Sequence, residues 1–370
     1  MKSLDLLVFA DYYLPGYKAG GPVVSISNLL NGLSSDFGFH SLLVTRAHEA
    51  DSKVLYDLDI NEAVASSNGH VIYTNRSLIS YLFFLVRLFS KSKSPIYLNS
   101  IYSFRYSLLP LLINKLFFRR DTYISPRGEF AQSAIANKPL LKKPYLIIWK
   151  WLFSKDVLFI SSSERESRDL LLVINTANFY QIANVAKVIK FEDFSAQSRD
   201  LDELRIAFVS RISPIKNLEF ALKCLLDVKR SYIFDVYGPI RDKEYWGELT
   251  KNYSNFNYKG SIKPVDIAAT LRKYNLFILP TKGENFGHSI YEAIASFVPV
   301  LISDNTPWLD LQKAGVGAEF PLDTKLFSNY IEKFEFNFKT SSFKEFIKKH
   351  DQSQNLVEHY DLFVSKKSGV

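Results

Sequence analysis

The sequence predicts an α/β protein of two doubly wound domains, and three observations predict it. Apolar strand-like runs alternate with helix-spaced apolar stretches along most of the chain, the signature of a parallel sheet covered by helices on both faces. The alternation occurs twice, on either side of the polar, acidic segment FEDFSAQSRDLDEL (191–204), which reads as a linker. A chain of 370 residues is long enough for two cores, at roughly 100–200 residues per domain. The expected domains are 1–190 and 191–350, with a tail to 370.

In the first half, the run from Leu4 to Ala10 is the opening strand, followed by the loop DYYLPGYKAGG. A helix follows from Pro22, where Val23, Ile26, Leu30 and Leu33 share a face and proline suits the first turn. Strand-like runs return at SLLVT (41–45), HVIYT (70–74), PIYLN (95–99), DTYIS (121–125) and VLFIS (157–161). The second half repeats the scheme: RIAFVS (205–210), a helix near 217–229, YIFDVYG (232–238), a helix near 242–252, then FNYKG and a helix near 264–273. LFILP (276–280), a loop, a helix near 287–296 and VPVLISD (298–304) complete it, and KFEFNFKTSSFKEF reads as helix and packing surface. Ligands in such sheets bind beyond the carboxyl ends of the strands.

Composition narrows the function. Hydrophobic residues make up 47% and charged residues 23%, an ordinary globular balance that excludes a disordered chain. A single cysteine, Cys224, excludes a disulfide framework and a cysteine zinc site. The six histidines, among them His40, His48, His70, His350 and His359, show no metal-ligand spacing. The opening MKSLDLLVFADYY contains Asp5 and lacks a cleavage site, so it reads as a strand and not a signal peptide. YLFFLVRLF is cut by Arg87 and LIIWKWLF by Lys150, so neither reaches the ~18 apolar residues of a membrane span. The expected location is cytoplasmic, peripheral on the inner face of a plasma membrane.

The net charge of +8 lies wholly in the first half. Residues 1–190 hold 22 Lys and Arg against 14 Asp and Glu, whereas 191–370 hold 24 of each. The excess peaks from Lys115 to Lys155, where nine basic residues face only Asp121 and Glu129, with Tyr145, Trp149, Trp151 and Phe153 interleaved. Such a segment suits an anionic bilayer, with lysine for attraction and tryptophan for the interface. It equally suits a solvated helix face whose aromatics are core. No nucleic-acid motif accompanies the charge.

The densest chemistry lies in LPTKGENFGHSIYEAIASFVPVLISD. A buried strand ends at Pro280, a glycine-bearing loop carries Glu284, and a helix from about Gly287 carries Glu292. Backbone N–H groups of Phe286, Gly287 and His288 at that helix start can hold a diphosphate, and a carboxylate such as Glu292 can accept both hydrogen bonds of a ribose diol. Upstream, VSRISPIKNLEFAL places Arg211 and Lys216 just beyond a strand. The strand–GENFG–helix–E–strand order, with Glu284 and Glu292 spaced E-x7-E, closely resembles the signature of retaining glycosyltransferases of family 4 (GT-B fold, glycosyl transferases group 1). The resemblance extends to Arg211 and Lys216, to Gly20 and Gly21 in LPGYKAGGP, and to SPRGEF (125–130) and SSSERE (161–166).

The resemblance implies two Rossmann-like domains facing a central cleft, with acceptor binding in 1–190, nucleotide-sugar binding in 191–350 and a last helix (351–370) crossing back to the first domain. It implies transfer of a sugar, with retention, from a nucleotide diphosphate sugar to an acceptor hydroxyl, UDP-sugar favoured over GDP-sugar. Arg211 and Lys216 would meet charge on the leaving diphosphate, Glu284 would orient the donor sugar, and Glu292 would hold the ribose. Gly20, Gly21, Ile262, Asn285, Phe286, Gly287 and His288 complete the donor side. No protein nucleophile and no metal are expected; the triplets Asp57-Leu58-Asp59 and Asp200-Leu201-Asp202 lie in polar stretches away from strand ends. The sequence departs from the family at SPRGEF, where many members place a histidine; Arg127 and Glu129 stand there, as acceptor-side residues or structural ones. The expected setting is bacterial surface polysaccharide assembly (O-antigen, capsule or exopolysaccharide) on a glycan or lipid-linked glycan acceptor at an anionic membrane, with no nucleic acid. The rivals are a soluble transferase acting on a small molecule and an inactive GT-B binding or scaffold protein. A dehydrogenase is disfavoured, since no G-x-G-x-x-G follows either opening strand.

Overall fold

The strand β1 (Leu6–Phe9) buries all four of its side chains, as a parallel strand covered on both faces must. The computed structural model describes residues 4–131, 134–135, 139–175, 177–186, 203–350 and 353–365. The expected linker 191–204 lies outside them except for Glu203 and Leu204, and Leu204 opens a strand. The chain divides into two units, Met1–Ala186 with Gln352–Val370, and Lys187–Asp351.

Unit 1 carries an eight-stranded sheet ordered β3-β4-β2-β1-β5-β6-β7-β8. Its remaining strands are β2 (Ser41–Arg46), β3 (Ala63–Ser66), β4 (Gly69–Thr74), β5 (Ile96–Leu98), β6 (Thr122–Ile124), β7 (Leu158–Ser161) and β8 (Asn178–Gln181). All pairings are parallel except β3 with β4. The order reverses between β1 and β5, so that end of the sheet is a topological switch point. One face is covered by α1 (Gly21–Phe37), which buries Val23, Ile26, Leu29, Leu30 and Leu33, and by α13 (Ser353–Ser365). Phe37 stacks on Tyr360 at 4.1 Å, and Gly32 gives the close approach: a Cβ there would lie 2.8 Å from Leu356.

The other face is covered by α2 (Leu78–Lys91), by α3 (Leu109–Ile113) flanked by π-helical turns at Phe104–Leu108 and Asn114–Phe118, and by α4 (Pro139–Phe153) and α5 (Glu164–Val173). Here the aromatics of the basic segment part company. Trp149 and Phe153 are core, and the Tyr145 hydroxyl donates to the Ile101 carbonyl at 2.6 Å, whereas Trp151 is 83% exposed. The two readings of the segment divide along the helical period, which sends 149 and 153 inward as core and 151 outward.

Unit 2 carries a six-stranded, all-parallel sheet ordered β11-β10-β9-β12-β13-β14. The strands are β9 (Leu204–Val209), β10 (Tyr232–Tyr237), β11 (Asn257–Tyr258), β12 (Leu276–Leu279), β13 (Val300–Ser303) and β14 (Gly317–Phe320). In its own count this is the 3-2-1-4-5-6 order of dinucleotide-type folds, with the switch point between β9 and β12. The helices are α6 (Leu218–Leu226), α7 (Lys243–Asn252), α8 (Ile267–Leu271), α9 (His288–Ala295), α10 (Leu311–Ala314), α11 (Thr324–Glu332) and α12 (Thr340–Lys349).

His359, on α13, sits among the unit 1 core with its Nδ1 against the Asn355 carbonyl at 2.7 Å. Burial pushes its pKa down to about 4. A depressed histidine pKa favours the neutral ring in the fold, so stability is lost as pH falls from about 6.5 to 4, by about 3 kcal/mol if the full shift is realised. Denaturant melts at pH 7 and pH 4.5 are expected to show this loss in the wild type and a smaller one in His359→Gln. An equal loss in both contradicts it.

Candidate functional site

In unit 2 the functional side chains follow from where β9 and β12 stop. After β9 the chain carries Arg211 and, past Ile212, turns through a bonded loop in which the Lys216 N–H donates to the Ser213 carbonyl at 3.0 Å. Asn217, at a left-handed φ of 60°, opens α6. After β12, Thr281 locks this loop to its own: its hydroxyl bonds the carbonyls of Ile215 (3.1 Å) and Gly283 (3.0 Å), and the Lys282 N–H donates to Ile215 at 2.8 Å. The two loops on either side of the switch point are therefore one hydrogen-bonded piece.

Within that piece Lys216 and Glu284 form an ion pair, with side chains only 8% and 18% exposed. Arg211, half-buried beside them, is pushed below its ordinary pKa by desolvation and by Arg241, while the Glu284 charge holds it up. The result is a concentration of positive charge at a strand end, partly balanced by one carboxylate. Lys216 ranks with the buried residues at 7% exposure, with its ammonium paired to Glu284.

The Glu284 N–H donates to the Asn305 carbonyl at 3.0 Å, and Gly287 caps α9. Gly287 has φ +80°, and a Cβ there would lie 2.9 Å from Ile290 and 3.1 Å from Glu284, so only glycine fits without displacement. The indole N–H of Trp308 donates to the Phe286 carbonyl and fixes the loop from behind. The Phe286 ring meets those of His288 (4.6 Å) and Trp308 (5.3 Å). The N–H groups of Phe286 and Gly287 make no backbone hydrogen bond among the described residues. Asn285 belongs to this loop, and half-buried Glu292 lies one turn into α9. Ile262 stands apart, half-buried in the loop after β11, two strands from β9.

In unit 1, Gly20, Gly21, Arg127 and Glu129 collect at the corresponding switch point. Asn99, just past β5, donates to the Pro22 carbonyl in the first turn of α1 (3.2 Å) and accepts from Arg127 Nε (2.8 Å). Arg127, at a left-handed φ of 54°, also donates to the Tyr97 hydroxyl (2.8 Å) and to Asn184. Glu129 accepts from the Ser100 hydroxyl (2.8 Å) and from the N–H groups of Ile101 (2.6 Å) and Tyr102 (3.4 Å). Burial pushes its pKa up to about 7 against the pull of those hydrogen bonds. Buried Glu166 knits SPRGEF to SSSERE, accepting from the Gly128 N–H on one oxygen and from the Ser162 N–H and hydroxyl on the other. Arg127 and Glu129 thus hold strand-end loops through hydrogen bonds.

Sequence reasoning missed Asn99, Thr281 and Trp308. Asn99 and Thr281 carried a signal, a polar residue directly beyond a buried strand; Trp308 carried none. Asp57 and Asp59 lie on an exposed loop, and Asp200 and Asp202 lie outside the described residues.

Residues 189–350 match the family model described as glycosyl transferases group 1. Those residues belong to the glycosyl transferases group 1. The group 1 domain so defined holds Arg211, Lys216, Glu284 and Glu292. No curated protein matches the chain. Among solved structures the chain is similar to HepE of Anabaena in complex with UDP and glucose (13% identity, TM-score 0.69, covering 98% of this chain and 100% of that one). It is similar to a sucrose-phosphate synthase from Thermosynechococcus elongatus (16%, TM-score 0.66, covering 96% and 94%). It is also similar to WaaG, a glycosyltransferase involved in lipopolysaccharide biosynthesis (12%, TM-score 0.63, covering 96% and 95%). With two parallel Rossmann-like sheets, the fold is GT-B.

Proposed function

We propose that the protein is a retaining glycosyltransferase that takes a hexose from a nucleotide diphosphate sugar, UDP-sugar in preference to GDP-sugar. The single observation that supports this best is the pairing of Lys216 with Glu284 beside Arg211 at the switch point of the group 1 domain. Arg211 and Lys216 are aimed at charge that develops on the leaving diphosphate, which is electrostatic stabilisation of the transition state. The N–H groups at the start of α9 hold the same phosphates, Glu284 orients the sugar hydroxyls, and Glu292 accepts from the ribose diol. In unit 1, Gly20 and Gly21 offer backbone to a phosphate, and Arg127 and Glu129 shape the acceptor side by holding its loops.

The transfer needs no protein nucleophile. The bond from the anomeric carbon to the phosphate oxygen breaks, the acceptor oxygen bonds on the same face, and the acceptor proton passes to the departing phosphate. The acceptor is a glycan or lipid-linked glycan of surface polysaccharide assembly at the cytoplasmic face of an anionic membrane; the basic first half of the chain supports that reading. Similarity to the sucrose-phosphate synthase keeps a soluble, small-molecule transferase as the second reading.

The reading predicts UDP release from UDP-sugar that depends on acceptor, persists in EDTA, and yields a product with the donor's anomeric configuration by NMR. Inversion, or complete loss in EDTA restored by a divalent cation, contradicts it.

A further inference from the structure

The helix α4 buries one apolar side and presents a second apolar side that no described part of the chain covers, with Lys142, Lys143 and Lys150 elsewhere on its surface. Leu146, Trp149 and Phe153 are buried, while Leu140, Ile147, Ile148 and Trp151 are 89%, 70%, 59% and 83% exposed. At 100° per residue those four fall within about a quarter of the helix circumference.

The surface continues beyond α4. Lys115 ties the neighbouring helical turn to the end of α4, donating to Asp156 at 2.6 Å and to the Leu152 carbonyl, and Phe117 beside it is 71% exposed. Arg120 donates to the carbonyls of Phe89 and Ser92 at the end of α2, whose outer side shows Phe83 at 74%. From Leu78 to Asp156, the stretch that supplies these helices, the sequence has 13 Lys and Arg against three carboxylates, Asp121, Glu129 and the Asp156 paired with Lys115. Glu129 is turned inward onto Ser100 and the Ile101 N–H. The face is therefore apolar with a cationic surround.

We propose that this face, α4 with the outer sides of α2 and the turn at Asn114–Phe118, seats in the headgroup region of an anionic bilayer. The proposal names the membrane-facing surface for the lipid-linked acceptor and rests on that part of the functional reading. Trp151 suits the boundary between headgroups and acyl chains, with exposed Lys143 reaching up to the phosphates and Lys150 joining it by exchanging its 2.9 Å hydrogen bond to Asn175. A second copy docking through the same face would set cations against cations, since a two-fold interface is self-complementary. Among the described residues, no helix is long and apolar enough to cross a membrane, so the contact is one of lying on the surface.

The test is flotation of the full chain with vesicles of phosphatidylcholine alone, and of phosphatidylcholine mixed with phosphatidylglycerol, at low and high salt. Binding is expected only to the mixed vesicles and is expected to fall with salt. The Lys143→Ser, Lys150→Ser double variant should weaken partition about fivefold per lysine. The Ile147→Ser, Trp151→Ser double variant should weaken it at least roughly tenfold. Because all four side chains reach solvent, the variants should keep the wild-type melting temperature and the wild-type response to UDP. Undiminished vesicle binding in both variants, or no wild-type binding, overturns the proposal. So does self-association abolished by Trp151→Ser, which would make the face a contact between copies. A missing response to UDP alongside the expected vesicle behaviour sinks the transferase reading and leaves the docking surface standing.

Discussion

Replacing Lys216 by alanine is expected to lower turnover by about 10²–10³-fold, the usual cost of deleting one group aimed at transition-state charge. Its burial adds a second consequence. The variant takes from Glu284, at 18% side-chain exposure, its paired ammonium and leaves Arg211 as the neighbouring positive charge, which costs stability on the order of 2 kcal/mol. The two effects separate in the Lys216→Ala, Glu284→Ala double variant, which removes the carboxylate left without its ammonium partner. That variant should regain most of the melting temperature and none of the turnover. Turnover within a few-fold of wild type in folded Lys216→Ala protein would exclude Lys216 from the chemistry. Recovery of turnover in the double variant would make the pair a purely structural feature.

Glu292→Ala is expected to weaken UDP binding roughly a hundredfold, because two hydrogen bonds to a charged acceptor together contribute about 3 kcal/mol. Turnover at saturating donor should change little, since the ribose is held equally in ground and transition states. Calorimetric titration with UDP checks this directly. An unchanged dissociation constant removes Glu292 from the ribose site, and a loss confined to kcat would place it nearer the reacting sugar.

The architecture was legible because buried parallel strands are continuous apolar runs. LLVF, RIAFV and LFIL announce themselves, and the loops after them were found by their glycines and charges. The antiparallel edge strand Ala63–Ser66 was not legible, because four small residues at a sheet edge show no apolar run. Nor was Gly317–Phe320, an edge strand whose Gly317 and Glu319 break the pattern. At the site, sequence spacing placed Arg211 and Lys216 at one strand end and Glu284 at another. That the ends are neighbours follows only from the strand order, which a single sequence does not state. Trp308 fastens the Phe286 loop from 22 residues away, a contact no local pattern encodes. In SPRGEF, the inward turn of Arg127 and Glu129 depends on Asn99, Asn184 and the backbone at 101–102, all distant in sequence.

The central claim is that the group 1 domain grips a nucleotide diphosphate through Arg211 and Lys216. The most direct measurement is a thermal-shift panel of UDP, GDP and ADP on wild type and on the Arg211→Ala variant, without added metal. A ligand that binds only the native state stabilises it by about 2.7 kcal/mol at a hundredfold excess over Kd. The account predicts a melting temperature raised selectively by UDP in the wild type, with the rise lost in Arg211→Ala. No rise with any nucleotide from well-folded wild-type protein, or an equal rise in both proteins, would contradict it.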